Sequence, residues 1–315
     1  KGNVVILAAD GDTGKSTMCY EIIEAITTGN KLFGQFETSI GNVKIIQCDE
    51  SPTDARIKWS LMDFKPNNKN LSLKWDFNPS MIPDLEKEIV RDKTDLCVMD
   101  SLAKIFDEGN DLNTPLVSYY IYQLNQIASR TQCTFLIIHH LKKDQNQEKK
   151  KKKDDSEVFR TQVTKDDLYG SAYILNGASD VWGLWVAGKE FGEKLFRLKN
   201  LKNRSMTAPS NHLYQLKGCE ESLRYTLKFK TDGDIDDAES VEKAILIFLE
   251  QNIDKKFSKE ELSKHIPKIR GKLHGKAYIG QCLRGLYKER STTGIERCMS
   301  SEVTGGRKSY LYYKR

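Results

Sequence analysis

The chain has 315 residues, is 38% hydrophobic and 30% charged, and carries a net charge of +6 with a mean hydropathy of -0.57, values that point to more than one globular domain. Its apolar runs, such as residues 4–9, fall far short of the roughly 18 residues a membrane-spanning helix needs, and no charged-then-apolar leader opens it, so membrane and secreted products are excluded. Seven scattered cysteines (Cys19, Cys48, Cys97, Cys133, Cys219, Cys282 and Cys298) include no C-x-x-C pair, the pattern of reduced thiols in a cytoplasmic protein.

The sequence opens at Lys1 without methionine and enters a strand pattern by Val4, as expected of a piece of something longer. Apolar and β-branched runs at 4–8, 43–48, 96–100 and 134–138 alternate with helical patterns. Such alternation predicts an α/β fold with a parallel sheet covered by helices. From residue 139 onward the pattern changes to successive short strands near 181–186, 195–198, 212–216 and 223–229, an antiparallel extension of the same sheet. The polar, acidic residues 231–238 read as a linker. This divides the chain into a domain at 1–230 and a C-terminal domain at 239–315.

Residues 9–16, Ala-Asp-Gly-Asp-Thr-Gly-Lys-Ser, follow the first strand and lead into an amphipathic helix ending near Gly29. This is a phosphate-binding P-loop in its proper context. The chemistry needs backbone N–H groups curled around phosphate oxygens at a helix N-terminus, which Gly11 and Gly14 permit. The nucleotide, ATP, would then be held by Asp10, Gly11, Asp12, Thr13, Gly14, Lys15, Ser16 and Thr17. Lys15 would neutralise the β and γ phosphates, and Ser16 would hold Mg²⁺. Ala9 stands where the consensus has its first glycine, at little cost if that position needs no positive φ.

Asp100 closes the apolar run 95–100, where a carboxylate can hold Mg²⁺ through water. Asp49 and Glu50 end the strand at 43–48, and either carboxylate could orient and deprotonate an attacking water.

The basic character belongs to the C-terminal quarter. Residues 239–315 hold 17 Lys or Arg against 9 Asp or Glu, a net of +8, which leaves -2 for the rest. Within it, Val241, Ala244, Ile245, Phe248 and Leu249 recur at helical spacing. Ser258 begins a second helix with Glu261 as its capping box, and a third helix spans about 276–290. Two strands flank Thr304-Gly-Gly306, a hairpin signal. Three helices and a β-hairpin predict a small α+β winged helix-turn-helix. Its third helix would enter the major groove with Arg284 and Lys288, and Arg307 and Lys308 at the hairpin turn would contact phosphates.

The motifs of residues 1–230 resemble those of the RecA-like hexameric helicases, especially the plasmid-encoded replicative helicases whose P-loop also tolerates alanine at its first position. The resemblance implies Glu50 as the catalytic glutamate. It implies a γ-phosphate sensor at His139 of the His139-His140 pair. It makes Arg204 of the segment Leu198-Lys-Asn-Leu-Lys-Asn-Arg204 a finger reaching the next subunit's nucleotide, with Lys202 as its companion. It places pore loops that grip single-stranded DNA in the polar stretch 142–167, which includes Lys142, Lys143 and five consecutive lysines at 149–153.

Together with the resemblance, which implies a hexameric ring, these features predict an ATP- and Mg²⁺-dependent DNA helicase or translocase of a plasmid or mobile element. Duplex DNA would be read by the winged helix, and a primase or polymerase domain could precede Lys1. Two other readings fit the same residues. One is a RecA-like ATPase acting in recombination or transposition without unwinding. The other is an ATP-switched DNA-binding regulator or loader.

Overall fold

A computed structural model of the chain describes residues 1–106, 115–142, 159–160, 162–168, 172–190, 193–205, 213–231, 241–252, 255–266, 276–288, 291, 294–299 and 310–314. Several expected features lie outside these residues: Lys143, the lysines at 149–153, most of the 231–238 stretch, the 304–306 turn, Arg307 and Lys308. The chain forms two compact units, one of Lys1–Ser210 with Tyr214–Lys228 and one of Asn211–Leu213 with Phe229–Arg315.

A sheet of nine described strands organises the first unit. They are β1 (Val4–Ala9), β2 (Asn42–Gln47), β3 (Leu71–Lys74), β4 (Thr94–Asp100), β5 (Thr134–His140), β6 (Asp180–Glu190), β7 (Glu193–Asn203), β8 (Leu213–Gly218) and β9 (Tyr225–Thr231). Their order is β3-β2-β4-β5-β1-β6-β7-β8-β9. Pairing is parallel from β3 through β1 to β6 and turns antiparallel between β6 and β7. The antiparallel extension therefore begins one strand later than the sequence pattern suggests. The four central strands β1, β2, β4 and β5 are almost wholly buried because both faces are covered.

Alternate side chains along each strand point to opposite faces. On one face Leu7, Val43, Ile45, Val98 and Leu136 pack with Met18 and Ile23 of α1 (Lys15–Thr28) and Trp59 of α2 (Pro52–Met62). The intervening residues Ile6, Met99 and Ile137 are equally buried. Here α3 (Ile82–Asp92), α4 (Leu102–Phe106), α5 (Pro115–Thr131) and α6 (Ala172–Gly177) complete the cover, with α5 packed on β1, β5, α3 and α6. Each fully buried Ile or Leu contributes about 1.5–3 kcal/mol relative to exposure.

Local chemistry fixes the helix ends nearest the strand tips. The Ser51 side chain accepts the Asp54 N–H at 3.1 Å, and Pro52 occupies the first turn of α2. At the far end of α1, Gly29 adopts φ 76° and its N–H closes on Ala25 O at 2.8 Å.

In the second unit, α7 (Val241–Glu250), β10 (Phe257–Ser258), α8 (Lys259–His265), α9 (Lys276–Lys288), β11 (Ile295–Met299) and β12 (Tyr310–Lys314) follow in order. Strand β12 pairs antiparallel with both β10 and β11. The five apolar residues of α7 expected on one face are all buried. The Ser258–Glu261 capping box is present, with the Glu261 N–H on Ser258 Oγ at 3.2 Å and the Ser258 N–H on Glu261 Oε2 at 2.7 Å. Arg297 lies against the rings of Tyr287 and Tyr310, 4.2 and 4.6 Å from their centroids. No helix among the described residues is long and apolar enough to cross a membrane.

One carboxyl joins β9 to α1. Glu21 is buried and accepts the Tyr225 N–H at 2.9 Å, and burial raises its pKa from 4.5 to about 7. Between those values the folded state holds more protons than the unfolded chain, so stability falls as pH rises from about 4.5 to about 7 and remains lower above. Glu21→Gln keeps the acceptor oxygen and removes the charge. Denaturant midpoints at pH 5.5 and 8.5 are therefore expected to differ less in Glu21→Gln than in the wild type, with the variant gaining about 1–3 kcal/mol at the higher pH. Identical pH dependence in the two proteins would exclude this role for Glu21.

Candidate active site

The phosphate loop begins where β1 ends. Ala9 is still in strand conformation, which explains why a side chain is accepted there. Asp12 and Gly14 take positive φ values of 56° and 85°, whereas Gly11 does not enter the left-handed region. Gly14 is required twice over, because a Cβ there would also lie 2.3 Å from the Tyr225 hydroxyl. That hydroxyl donates to Gly14 O at 3.0 Å and pins the loop to β9.

Lys15 folds back on its own loop, donating to Asp10 O at 2.6 Å and Ala9 O at 3.3 Å. Burial lowers its pKa, opposed by the charges of Asp100, Asp10, Asp49 and Asp12. Ser16 Oγ donates to Asp100 Oδ2 at 2.6 Å, linking the loop to the end of β4. Burial raises the Asp100 pKa; the hydrogen bonds from Ser16 and Gln47 oppose that shift, and the charges of Glu50 and Asp49 add to it. Asp100 Oδ1 is buried without a hydrogen-bond partner. An acceptor in that state, beside a serine hydroxyl, fits a hydrated divalent cation.

Gln47, which the sequence reading did not single out, organises the neighbouring carboxylates. Its Nε2 donates to Asp100 Oδ2 at 3.1 Å and to the Tyr20 hydroxyl at 3.2 Å. Its Oε1 accepts the N–H groups of Asp49 and Glu50 at 3.0 and 3.2 Å. The Tyr20 hydroxyl donates in turn to Glu50 Oε2 at 3.1 Å, and Lys58 pairs with the other Glu50 oxygen. Gln47 carried no local signal of this role, because β2 also holds the buried Lys44. Tyr20 carried none.

The two histidines separate. His139, the expected sensor, is fully buried within the sheet, so the ring that reaches the carboxylates is that of His140. His140 Nε2 stands 3.8 Å from Asp49 Oδ2 and holds the Asp49 carboxyl below its ordinary range, against the effect of burial. The β1–β5 register puts His140 level with Ala9, and the β2–β4 register puts Asp100 level with Gln47. Lys15, Ser16, Gln47, Asp49, Glu50, Asp100 and His140 thus gather at the carboxyl ends of four adjacent strands.

Lys202 and Arg204 are not part of that gathering. Asn203 is level with Asp180, and Asp180 with Val5, at the opposite end of β1 from the loop. Lys202 Nζ donates to the carbonyls of Leu175 and, at 2.7 Å, Ala178 at the end of α6, whereas Arg204 is exposed. Lys142 is exposed and donates to Asp166 O at 2.8 Å. On α9, Arg284 and Lys288 are exposed one turn apart.

Beside the loop, a cavity of about 240 Å³ opens between Thr13, Gly14 and Thr17 on one side and Phe196, Leu223 and Tyr225 on the other. A larger cavity of about 310 Å³, lined by Leu7, Met18, Phe33, Trp182 and Tyr214 among others, is almost wholly apolar and does not adjoin the carboxylates. Polar groups rather than volume identify the site.

Residues 1–146 match the family model described as an AAA domain. The matched region includes the phosphate loop, Asp49 and Glu50, Asp100 and both histidines. Among solved structures the chain is similar to a KaiC-like protein from the hyperthermophilic archaeon Pyrococcus horikoshii OT3, at 14% identity and a TM-score of 0.49 over 72% of this chain and 89% of that one. No curated protein matches the sequence. Residues 1–146 are thus similar to an AAA domain, and the site geometry there is that of a phosphate loop with a serine–carboxylate pair beside it.

Asp100→Asn retains a hydrogen-bond acceptor and loses the charge that a divalent cation would face. Its affinity for ATP in magnesium is expected to fall by roughly tenfold or more, while affinity in EDTA changes by less than about threefold. Equal losses under the two conditions, measured by calorimetric titration, would separate Asp100 from the metal.

Proposed function

We propose that the protein is an ATP-dependent DNA helicase or translocase that works as a ring in the replication of a plasmid or mobile element. The observation that carries the ATPase half is the convergence of Lys15, the Ser16–Asp100 pair and the Glu50 carboxylate on one loop at the strand ends. When ATP enters, Lys15 exchanges the carbonyls of Ala9 and Asp10 for phosphate oxygens, and the N–H groups opening α1 accept the rest of the charge. Ser16 and Asp100 would hold magnesium, which would supply charge neutralisation on the phosphates. Thr13 and Thr17 border the cavity that would take the ribose and base.

Glu50 is the base in this reading. Its carboxylate is oriented by Tyr20, and it lies on a turn whose amides Gln47 fixes. Asp49, held below its ordinary range beside His140, is poorly suited to take a proton from water. His140 reports on the carboxylate pair as sensor, and His139 holds the strand that carries it.

The ring half rests on Arg204. Five residues of strand, roughly 17 Å, separate its level from the loop of its own chain, so its guanidinium is assigned to a neighbouring subunit's nucleotide. Lys202, bound to the end of α6, holds the segment in place. DNA recognition is assigned to the stretch opened by Lys142 and Lys143 for single strands. For duplex, it is assigned to the second unit read as a winged helix, with Arg284, Lys288, Arg307 and Lys308 as contacts.

The deciding experiment is ATP turnover with and without single-stranded DNA at two protein concentrations. Strong stimulation that rises steeply with protein concentration is expected, with unwinding of a forked duplex. Turnover indifferent to single strands, with duplex binding lost on deletion of residues 239–315, would instead favour a regulator or loader. Lys15→Ala is expected to abolish nucleotide binding or turnover. Arg204→Ala should keep nucleotide affinity and lower turnover by about a thousandfold.

A further inference from the structure

Arg160 comes from the polar stretch after β5, 150 residues beyond the phosphate loop, yet its side chain is only 4% exposed. Its guanidinium grips Asp10 with both arms, Nε to Oδ2 at 2.9 Å and Nη2 to Oδ1 at 3.0 Å. The same group pairs through Nη1 with Asp167 Oδ1 at 3.2 Å and donates through Nη2 to Lys142 O at 3.2 Å. Such a planar fork fixes direction as well as distance, which a lysine could not do.

The partners of Arg160 are themselves tied together. Leu141 N–H donates to Ala9 O at 3.1 Å, so the end of β5 holds the residue preceding Asp10. Lys142 N–H donates to Asp167 O at 2.7 Å, and Asp167 Oδ2 accepts from the Thr164 N–H and hydroxyl at 2.6 and 2.8 Å. Arg160 is thus seated between a braced floor and the first residue of the loop. Asp10 links it onward, because the Asp10 carbonyl is the 2.6 Å acceptor of Lys15 Nζ.

We propose that Arg160 is a positioning residue for the phosphate loop, acting through the Asp10 carboxylate to fix the peptide on which Lys15 rests, and thereby setting the affinity for Mg-ATP. The inference rests on the phosphate-loop reading of residues 9–16. A preset loop binds phosphate without first being ordered, so loosening it is felt in affinity before it is felt in the chemical step. Asp10 is then conformational in its role, and its charge is cancelled by Arg160 instead of repelling the incoming phosphates.

The test is titration of the full chain with a fluorescent ATP analogue in magnesium, together with KM and kcat and a melting curve for each variant. Arg160→Gln and Asp10→Asn are each expected to raise the dissociation constant and KM by roughly tenfold or more, with a smaller change in kcat. The double variant is expected to be no worse than the weaker single one, and Arg160→Lys to fall between wild type and Arg160→Gln. Folded Arg160→Gln or Asp10→Asn with wild-type affinity would overturn the proposal. So would additive losses in the double variant, or a lowered melting temperature with unchanged affinity. Should Arg160→Gln fail to fold, Asp10→Asn and Arg160→Lys decide by the same criteria. A wild-type chain that binds no Mg-ATP would instead remove the phosphate-loop reading itself.

Discussion

The Asp100 carboxylate, buried at the end of β4, constrains the whole set of strand ends. Removing a carboxylate from water costs several kcal/mol unless hydrogen bonds compensate, and here Ser16 and Gln47 donate to one of its oxygens. Those two donors come from different elements, so the same compensation locks the start of α1 to the end of β2. Gln47, with its amide nitrogen committed to Asp100 and Tyr20, has its oxygen directed at the N–H groups of Asp49 and Glu50. The turn bearing the general-base candidate is therefore shaped by the residue that satisfies the metal-site candidate. Immediately beyond it, Ser51 caps α2, which fixes where the turn must end.

The loop is braced from its other side by the antiparallel strands. Tyr225 reaches Gly14 through its hydroxyl and Glu21 through its N–H, while the neighbouring Arg224 pairs with Glu24 and the Met62 carbonyl. Tyr225 of β9 thus grips the N-cap and second turn of α1, and Arg224 just before the strand grips its third turn. This offers a structural reason for adding antiparallel strands to a parallel sheet. They supply a wall for the cavity beside the loop and a clamp on the helix that follows it. The clamp uses a carboxyl whose ionisation burial disfavours although the Tyr225 N–H favours it, so the cost of its charge lowers stability above about pH 7.

What could be read in the sequence was what depends on near neighbours. The phosphate loop declares itself because glycine, lysine and serine at fixed spacing all act on one turn. The strands β1 and β5 declare themselves because burial on both faces demands unbroken apolar runs. The four residues of β3, none fully buried, leave no such trace. The outer halves of β6 and β7 read as loop, since Lys189, Glu193 and Lys194 form the polar end of a long hairpin. Gln47, Tyr225 and Arg160 were illegible for a shared reason. Their partners lie 53, 211 and 150 residues away, and no local pattern encodes such a meeting. Choosing between the histidines needed the strand's orientation, because adjacent residues face opposite sides of a sheet.

Under the proposed nucleotide reading, charge balance favours joint entry of nucleotide and divalent cation. Asp10, Asp12, Asp49 and Asp100 act on the single loop lysine, and Glu50 acts on Asp100, an arrangement that would repel a free polyphosphate. Three of the five are answered within the chain: Asp10 by Arg160, Glu50 by Lys58 and Asp49 by His140 when that ring is protonated. Asp100 has no cation at ion-pair distance among the described residues, and its second oxygen is buried without a donor. Of the two left, Asp12 is exposed to solvent, so the buried unanswered charge is the one beside Ser16, where a phosphate-bound cation would be drawn. Neutralising Asp10 and Glu50 from within keeps the attraction local, so a cation is directed to one carboxylate and not spread over five.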